Sequence, residues 1–264
     1  MLRSFRTALR DILGGAWQYS LWLTLAWRDI RARYVRTTLG PFWLTASTAI
    51  FTFAFAGIYA TLFKQDIANY LPFVTSGYLA WVLFAQTMNE SCTAFTLEKT
   101  WICNQQFPYS IIVYRIICRN IIVFFHNAVI LIPVYLYAGQ APGWSLLWVP
   151  VSLLLIGLNG LWIGLLLGTI CARFRDVQQL VTSFLQIILF ITPIFWRPEM
   201  LSGERMIFVN ANVVYHIVSV LRAPLLGEAP GWRSVVITVG FAVIGLLFTA
   251  WVFGRYRRRI PFWV

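Results

Sequence analysis

Six stretches of this sequence are each apolar over the roughly 20 residues that a helix needs to cross a bilayer. They span residues 41–63, 71–91, 116–137, 145–170, 177–196 and 234–254. Together they occupy most of the 264 residues, so no separate soluble domain fits beside them. With 59% hydrophobic and only 11% charged residues, a water-soluble globule would also lack enough polar residues to cover its surface. The sequence therefore predicts an all-α integral membrane protein, a single transmembrane domain over residues 1–264 with six transmembrane helices.

The basic residues predict the orientation of these spans. Sixteen of the 21 Lys and Arg precede the first span or follow the second, fourth or last one, which places them on one side of the membrane. The others share the opposite side with acidic residues, and are Lys64, Arg197, Arg205, Arg222 and Arg233. By the positive-inside rule both termini then face the cytoplasm. Most of the net charge of +12 then lies on the cytoplasmic side, where it would contact anionic lipid headgroups or a cytoplasmic partner. This placement argues against binding of nucleic acid.

The four cysteines agree with this orientation. Cys92, Cys103, Cys118 and Cys171 all fall at or beyond the predicted cytoplasmic ends of spans, where a reducing environment disfavours disulfides. The sequence contains no Cys-x-x-Cys pair and no Cys/His ligand spacing. We therefore expect neither a disulfide nor a metal site.

Residues 17–36 predict an amphipathic helix at the membrane interface. One stripe repeats at helical spacing and consists of Leu23, Trp27, Ile30 and Tyr34. Charged residues fill the rest of the circumference, namely Arg28, Asp29, Arg31, Arg33 and Arg36. An Arg-rich helix with an aromatic stripe just before a span is expected to lie in the interface plane. We expect it to end at Gly40-Pro41, where Gly can leave one helix and Pro can begin the next.

Polar faces on two spans each leave two interpretations open. The first span has hydroxyl and aromatic groups at helical spacing, which suit either helix packing or a pore lining. They are Thr45, Thr48, Thr52, Phe55 and Tyr59. The fifth span has a line of uncharged polar groups, which suit either hydrogen bonds between helices or a water-filled lumen. They are Gln179, Thr182, Ser183 and Gln186. Pro193 near the far end of this span is expected to kink or break the helix.

Two further spans carry unusual residues near their middle. His126 in the third span is either a neutral histidine hydrogen-bonded between helices or a functional ionisable group. Gly160, Gly164 and Gly168 in the fourth span form a run of glycines four residues apart, which predicts a surface where another helix approaches closely.

Two connecting segments are candidates for more than linking spans. The short polar loop from Glu98-Lys99-Thr100 to Phe107-Pro108-Tyr109 is either a simple connector or, in a transporter, the place where a partner applies force. Residues 197–233 are too long for a tight connection and partly apolar. We expect this segment to re-enter the outer leaflet as short broken helices, because irregular backbone at membrane depth must be buried in protein or line water.

Motifs for nucleotide hydrolysis and other common chemistry are missing from the sequence. Neither lysine follows a glycine, so no G-x-x-x-x-G-K-[ST] phosphate loop exists and the chain is not expected to hydrolyse ATP. One enzymatic alternative stays open. In it the chain is an integral-membrane enzyme acting on lipid-linked sugars through Glu199, Glu204 and His216 in the outer segment.

Several motifs together resemble a known family. The stretch Leu25–Tyr34 contains Arg-Asp-Ile and Arg-x-Tyr and is followed by Leu39-Gly40-Pro41-Phe42-Trp43. This order is similar to the start of type-2 ABC exporter permeases, in particular those of the polysaccharide and O-antigen export branch. Later similarities are Arg173-x-Arg-Asp-Val, Thr192-Pro193-Ile194-Phe195, Asn212, Arg222 and Leu226-Gly227. The chain has Asn212-Val213 where the family usually has Asn-Pro, so the turn at this point is a departure from the family pattern.

The resemblance implies a half-transporter of the bacterial inner membrane. Two copies would form the channel, and each would bind a separate nucleotide-binding ATPase subunit, which would hold ATP and Mg²⁺ while this chain holds no cofactor. The residues implied to contact the ATPase are Arg28, Asp29, Arg31, Arg33, Glu98, Lys99, Phe107 and Pro108. The residues implied to line the substrate channel are Thr52, Phe55, Tyr59, Gln186 and Phe190.

The implied cargo is a lipid-linked polysaccharide such as O-antigen. Pyranose rings offer apolar faces to aromatic side chains and hydroxyls to Thr, Tyr and Gln, and this combination holds a moving chain weakly. Capsule, teichoic acid or a small drug remains an alternative cargo for the same type of exporter.

Overall fold

The computed structural model describes residues 2–35, 40, 42–140, 143–201 and 203–264, and no strand occurs in these ranges. The helices are α1 (Leu2–Trp17), α2 (Tyr19–Tyr34), α3 (Phe42–Leu62), α4 (Ile67–Cys92), α5 (Ala94–Leu97), α6 (Lys99–Asn104), α7 (Ser110–Ala128), α8 (Leu131–Ala138), α9 (Val149–Arg173), α10 (Val177–Ile191), α11 (Met206–Ala211), α12 (Val213–Leu225), α13 (Trp232–Tyr256) and α14 (Ile260–Trp263). Arg36, Leu39 and Pro41 lie outside the described residues, and so does the predicted junction between the interface helix and the first span.

The predicted all-α membrane architecture is confirmed. Five helical segments in the described ranges are long and apolar enough to cross a membrane, namely Phe42–Leu62, Ile67–Cys92, Ser110–Ala138, Trp144–Arg173 and Trp232–Trp263. A sixth crossing is obtained if Gly203–Ala211 and Val213–Leu225, which meet at an angle of 84°, are counted as one bent span.

The predicted fifth span, residues 177–196, is shorter than expected. Helix α10 has 15 residues and ends at Ile191, so it measures about 22 Å against a hydrocarbon thickness of about 30 Å. Pro193 explains the early end, because proline has no N–H to donate and forces the preceding residue out of the helical region. Thr192 accordingly has the extended angles φ −76° and ψ 135°.

Short broken helices follow α10, as the sequence predicts for residues 197–233. They comprise two single turns, Pro198–Met200 and Gly203–Arg205, and the bent pair α11 and α12. Asn212 stands at the bend, where its side chain accepts a 3.2 Å hydrogen bond from the Tyr215 N–H and so caps α12. The Asn212-Val213 departure from the family pattern therefore still gives a capped helix start.

Helix α4 forms the centre of the bundle. It packs against α3, α7, α8, α9, α10 and α12. Of the 18 consecutive residues of α4 with the highest mean hydropathy, 67% are buried, whereas the corresponding fraction for α3 is 11%. Helix α3 thus lies at the edge of the single chain, with one side packed on the bundle and the other exposed.

The glycine run of α9 is a packing surface. A Cβ atom added to Gly164 would lie 2.7 Å from Val113 Cγ1 on α7 and 2.8 Å from Ser91 Oγ on α4. These separations are shorter than van der Waals contact, so the three helices approach as closely as they do only because position 164 has no side chain. The packing role predicted from the spacing agrees with this geometry.

Helix α1 has no counterpart among the predicted elements. It packs against α13 and α7, and Asp11 on it is fully enclosed. The Asp11 carboxylate accepts hydrogen bonds from the backbone N–H groups of Tyr109 and Ser110, at 3.0 and 2.9 Å, and pairs with Arg257. Asp11 therefore caps the start of α7 from a distant part of the chain and joins the N-terminal and C-terminal segments at one end of the bundle. We call this the terminal end, and the opposite end the far end.

Candidate functional site

A charged cluster joins the predicted interface helix to the rest of the bundle at the terminal end. Asp29 on α2 accepts a forked pair of hydrogen bonds from Arg115 of α7, at 2.6 and 2.7 Å. Arg119, one turn later on α7, donates to the same carboxylate at 2.5 Å. Asp29 thereby fixes α2 against α7 through two guanidinium groups.

Two glutamates complete this cluster. Glu98, between α5 and α6, accepts a 2.7 Å hydrogen bond from Arg115. Glu90, near the end of α4, accepts from Arg119 at 2.8 Å and from Arg33 of α2 at 3.2 Å. The charged cluster is defined as Asp29, Arg33, Glu90, Glu98, Arg115 and Arg119. It contains three positive and three negative groups, so its net charge is zero.

The cluster controls the ionisation of Asp29. Burial by itself raises the pKa of this carboxyl group. The hydrogen bonds and positive charges of Arg115 and Arg119 outweigh that effect, so the pKa of Asp29 is held below its ordinary value of 3.8. Asp29 is therefore an anion at neutral pH and a permanent partner of both arginines.

The structure separates the charged residues among the predicted ATPase contacts into two groups. Arg28, Arg31, Arg33 and Lys99 are exposed, and of these only Arg33 also belongs to the charged cluster. Asp29 and Glu98 are largely engaged inside the protein by Arg115. Arg28, Arg31 and Lys99 have no ion pair among the described residues, whereas Asp29 and Glu98 tie their segments to α7.

Phe107 and Pro108 lie on the connector between α6 and α7. Phe107 stacks on Trp101 with ring centroids 4.0 Å apart, and its carbonyl oxygen accepts a 2.9 Å hydrogen bond from Arg257. Both residues are half-buried beside the Asp11 cap. The polar segment predicted from Glu98 to Tyr109 therefore contains helix α6 and an anchored connector.

An aromatic face runs along α3. Phe51, Phe55, Tyr59 and Phe63 follow one another every four residues, and each ring lies 4.3 to 5.7 Å from the next. Phe195, just beyond α10, is buried against this row, with its ring centroid 5.0 Å from that of Phe55. We call these five residues the aromatic face.

Of the predicted channel residues, Phe55 and Tyr59 belong to the aromatic face and Phe190 adjoins it. The Phe190 ring lies 6.4 Å from that of Phe195 and is exposed, as is Gln186 one turn earlier on α10. Thr52 is placed differently. It is fully buried, and its hydroxyl donates to the Thr48 carbonyl oxygen within the same helix.

The irregular backbone after α10 is held by buried polar side chains. Arg222 of α12 donates a 2.7 Å hydrogen bond to the Pro193 carbonyl oxygen, and the Tyr70 hydroxyl donates to the carbonyl oxygen of Phe195. Asn212 donates to the Thr192 hydroxyl at 3.0 Å. These bonds satisfy backbone and side-chain groups that the end of α10 leaves open, and they fix Phe195 against α3.

The residues of the enzymatic alternative do not share a site. His216 is buried, and both its ring nitrogens are bonded, Nδ1 to the Ser234 hydroxyl at 2.9 Å and Nε2 to the Asn210 carbonyl oxygen at 3.0 Å. Glu204 is exposed on a separate turn. His216 thus acts as a core hydrogen-bonding residue. Within the described ranges no group of three His, Cys, Asp or Glu side chains could hold a metal ion.

His126 in the third span also has local partners. Its Nδ1 lies 2.8 Å from the Ile122 carbonyl oxygen, and its own carbonyl oxygen accepts a 3.2 Å hydrogen bond from Thr45 of α3. Thr45 therefore contributes to packing between α3 and α7, as one of the two interpretations of the first span requires.

Sequence reasoning missed several of these residues although some signals were present. Phe51 and Phe63 extend the i, i+4 aromatic pattern that already contains Phe55 and Tyr59. Glu90 is an acidic residue at the end of a span, where an arginine partner is expected. The pairing of Asp11 with position 257 joins residues almost a chain length apart, and no local pattern indicates it.

Comparison with known proteins agrees with these features. The family described as ABC-2 type transporter matches residues 20–226. The O-antigen export system permease protein RfbA of Myxococcus xanthus is 24% identical over 189 residues, which cover 71% of this chain and 73% of that protein. A protein of the same name from Klebsiella pneumoniae is 22% identical over 222 residues, covering 77% of this chain and 85% of that protein. Because the family match extends over most of the sequence, the chain belongs to the ABC-2 type transporter family.

Proposed function

We propose that this chain is the membrane-spanning permease subunit of an ATP-driven exporter of lipid-linked, O-antigen-like polysaccharide across the bacterial inner membrane. Family membership and the names of the similar permeases support the type of transporter and its cargo. The single observation in this chain that carries the proposal is the aromatic face, a continuous row of half-buried rings along α3, a helix whose other sides are exposed.

The chemistry of the aromatic face suits a glycan. The four half-buried rings form a continuous apolar strip along which the C–H faces of successive sugars can make contact, and the Tyr59 hydroxyl adds a polar group. None of the five residues carries a charge at neutral pH. A polysaccharide would therefore meet repeated weak contacts and no single deep trap, as conduction requires.

The exposed flank of α3 supports a channel built from two copies of the chain. Only 11% of the most apolar window of α3 is buried, and Phe190 and Gln186 on α10 are exposed as well. In this proposal a second copy covers part of these surfaces, and the aromatic faces border the path between the copies. Phe55, Tyr59, Phe190 and Gln186 are then channel residues.

The terminal end provides the proposed contact with a separate ATPase subunit, which would bind ATP and Mg²⁺ and perform the hydrolysis. Arg28, Arg31 and Lys99 are exposed there for an acidic partner surface. The charged cluster links α2 to α4 and α7. A displacement of α2 by the ATPase would therefore be transmitted to the central helix α4 through ion pairs. In this proposal both termini are cytoplasmic.

Export of polysaccharide provides the main test. In a strain that lacks this chain, we expect no surface polysaccharide and accumulation of lipid-linked glycan on the cytoplasmic side. The wild-type gene should restore export, and Phe55→Ala with Tyr59→Ala should not. Phe53→Ala is the matched control, because Phe53 lies on the same exposed helix about 200° away from Phe51. Export without this chain, or without any ATPase partner, would overturn the proposal.

Labelling of Cys103 tests the orientation separately. Cys103 is exposed at the terminal end, whereas Cys92 and Cys171 are buried. In a variant that keeps Cys103 and replaces the three other cysteines by Ser, a membrane-impermeant maleimide should react in inside-out vesicles and not in intact spheroplasts. Reaction in spheroplasts would show that the terminal end faces outward.

A further inference from the structure

A polar cavity lies at the far end of the bundle. It has a volume of about 470 Å³, within the range of roughly 300–1,000 Å³ that is typical of small-molecule sites. Its walls come from the start of α4, the turn that begins at Pro198, and a half-buried side of α12. The broken segment that follows α10 thus forms part of the cavity wall, and none of the five residues of the aromatic face lines the cavity.

Two guanidinium groups are fixed in the wall of this cavity. Arg222 is only 5% exposed, donates to the Pro193 carbonyl oxygen, and lies 4.3 Å above the Phe73 ring. Arg197 donates to the Asn69 carbonyl oxygen at 3.1 Å and lies 5.2 Å from the same ring. In both residues the buried Nε has no hydrogen-bond partner within the described structure. Each arginine is thus held in place by a backbone carbonyl oxygen and an aromatic ring while it lines the cavity.

Carboxylates stand in the same wall. Asp66, Glu199 and Glu228 all line the cavity together with the two arginines. Among the described residues no ion pair of 4.0 Å or less joins these carboxylates to Arg197 or Arg222. Asp66 already accepts hydrogen bonds from the Ala68 N–H and the Asn69 side-chain amide, at 3.3 and 2.9 Å. Glu199 and Glu228 are therefore the acceptors that the cavity presents beside the two guanidinium groups.

The presence of both carboxylates and guanidinium groups favours a neutral ligand. Three carboxylates disfavour an anion such as phosphate, and two fixed guanidinium groups disfavour a cation, because either ligand would meet like charge. A neutral polyol matches both kinds of group, since each hydroxyl donates to a carboxylate and accepts from a guanidinium. Sugars have several such hydroxyls on one rigid ring.

We infer that the far-end cavity binds a neutral glycosyl unit, with Glu199 as an acceptor and Arg197 and Arg222 as donors. The expected source of the sugar, the exported polysaccharide, rests on the proposed function, whereas the binding chemistry rests on the cavity alone. Arg222 also holds the Pro193 carbonyl oxygen next to Phe195. A sugar in the cavity would therefore contact the residue that fixes the irregular backbone beside the aromatic face.

Direct binding tests this inference. The full-length chain is purified with its ATPase partner and titrated with two kinds of ligand. The first are the methyl glycosides of glucose, galactose, mannose, rhamnose and N-acetylglucosamine, and the second is delipidated polysaccharide from the host strain. Binding is followed by saturation-transfer NMR and calorimetry. We expect saturable binding of at least one of these glycans. Glu199→Gln should raise its Kd about tenfold, as loss of a charged hydrogen-bond acceptor does. Glu204→Gln is the matched control, because Glu204 is exposed on the neighbouring turn and does not line the cavity.

The possible outcomes separate this inference from the proposed function. Absence of binding by every glycan, or equal binding by the wild type and Glu199→Gln, overturns the cavity inference even if export depends on this chain. Saturable binding of inorganic phosphate that displaces the glycan also overturns it, in favour of an anion site. Glycan binding in a chain that does not support polysaccharide export would retain the cavity and reject the proposed cargo route.

Discussion

Arg222 Nη2 donates a 2.7 Å hydrogen bond to the carbonyl oxygen of Pro193, the residue that prevents α10 from continuing. The bond joins α12 to the backbone just beyond the end of α10. A buried carbonyl group outside a helix has no partner in a helical hydrogen-bond ladder, so a buried arginine supplies the donor. The backbone at Pro193, where α10 has ended, is thus stabilised by Arg222, which is 29 positions away in the sequence.

Replacing Arg222 by Met should destabilise the purified protein. The substitution keeps much of the side-chain length but leaves the Pro193 carbonyl oxygen without its donor, which costs about 1–3 kcal/mol. A thermal melt in detergent should show a lower Tm than that of the wild type. Arg205→Met is the control, because Arg205 is exposed on a short turn of the same segment. An equal Tm in both variants would contradict a structural role for the Arg222 bond.

Asp29→Asn should loosen the charged cluster. The neutral amide cannot balance Arg115 and Arg119, and we expect a loss of about 1–3 kcal/mol in stability, together with reduced ATP-driven export. Thermal melting and the export assay measure the two effects. Arg31→Gln on the same helix should leave the Tm unchanged, since Arg31 is exposed and is not part of the cluster.

The wild type and Asp29→Asn also give a prediction about the pH dependence of stability. Because the folded-state pKa of Asp29 lies below its ordinary value of 3.8, the stabilisation is fully present above the unfolded-state value and is lost as the pH falls through the folded-state value. The Tm difference between wild type and Asp29→Asn should therefore be constant from pH 7 to about pH 5. It should shrink only in more acidic buffer. A difference that grows on acidification would have the wrong sign.

Gly164→Ala should disturb the contact of α9 with α4 and α7. The new methyl group would lie 2.7 Å from Val113 Cγ1, and overpacking of this kind costs about 1–3 kcal/mol. Gly157→Ala on the same helix is the matched control, because its methyl group would meet Ile117 at an ordinary 3.6 Å. Comparative melts should show destabilisation at position 164 only.

Asp11→Asn should release the N-terminal helix from the bundle. Two backbone N–H groups at the start of α7 and the guanidinium of Arg257 all use the Asp11 carboxylate. We expect a stability loss of about 1–3 kcal/mol and earlier proteolysis near the N-terminus. Arg10→Gln, next in sequence and exposed, should be neutral in limited proteolysis and thermal melts. Protection of the N-terminus in Asp11→Asn would argue against this anchor.

Much of the architecture could be predicted from local sequence because the bilayer imposes a length and a polarity on each span. Helix α4, predicted as residues 71–91, spans Ile67–Cys92, and the glycine run of α9 packs as its spacing indicates. The aromatic row on α3 is also a local pattern, since residues four apart share a helix face. Pro193 is a local signal for a helix break, and α10 ends two residues before it, at Ile191. The number of apolar residues alone predicts the longer span 177–196.

Tertiary structure alone decided which polar groups meet. Asp29 and Glu98 were candidates for an external partner, and the fold turns both toward Arg115. Thr52 shares a span with the aromatic face but is buried on another side of the helix. The far-end cavity combines residues from α4, the irregular segment and α12. Such pairings depend on how helices distant in the chain are placed against one another, and the periodicity within each helix carries no information about that placement.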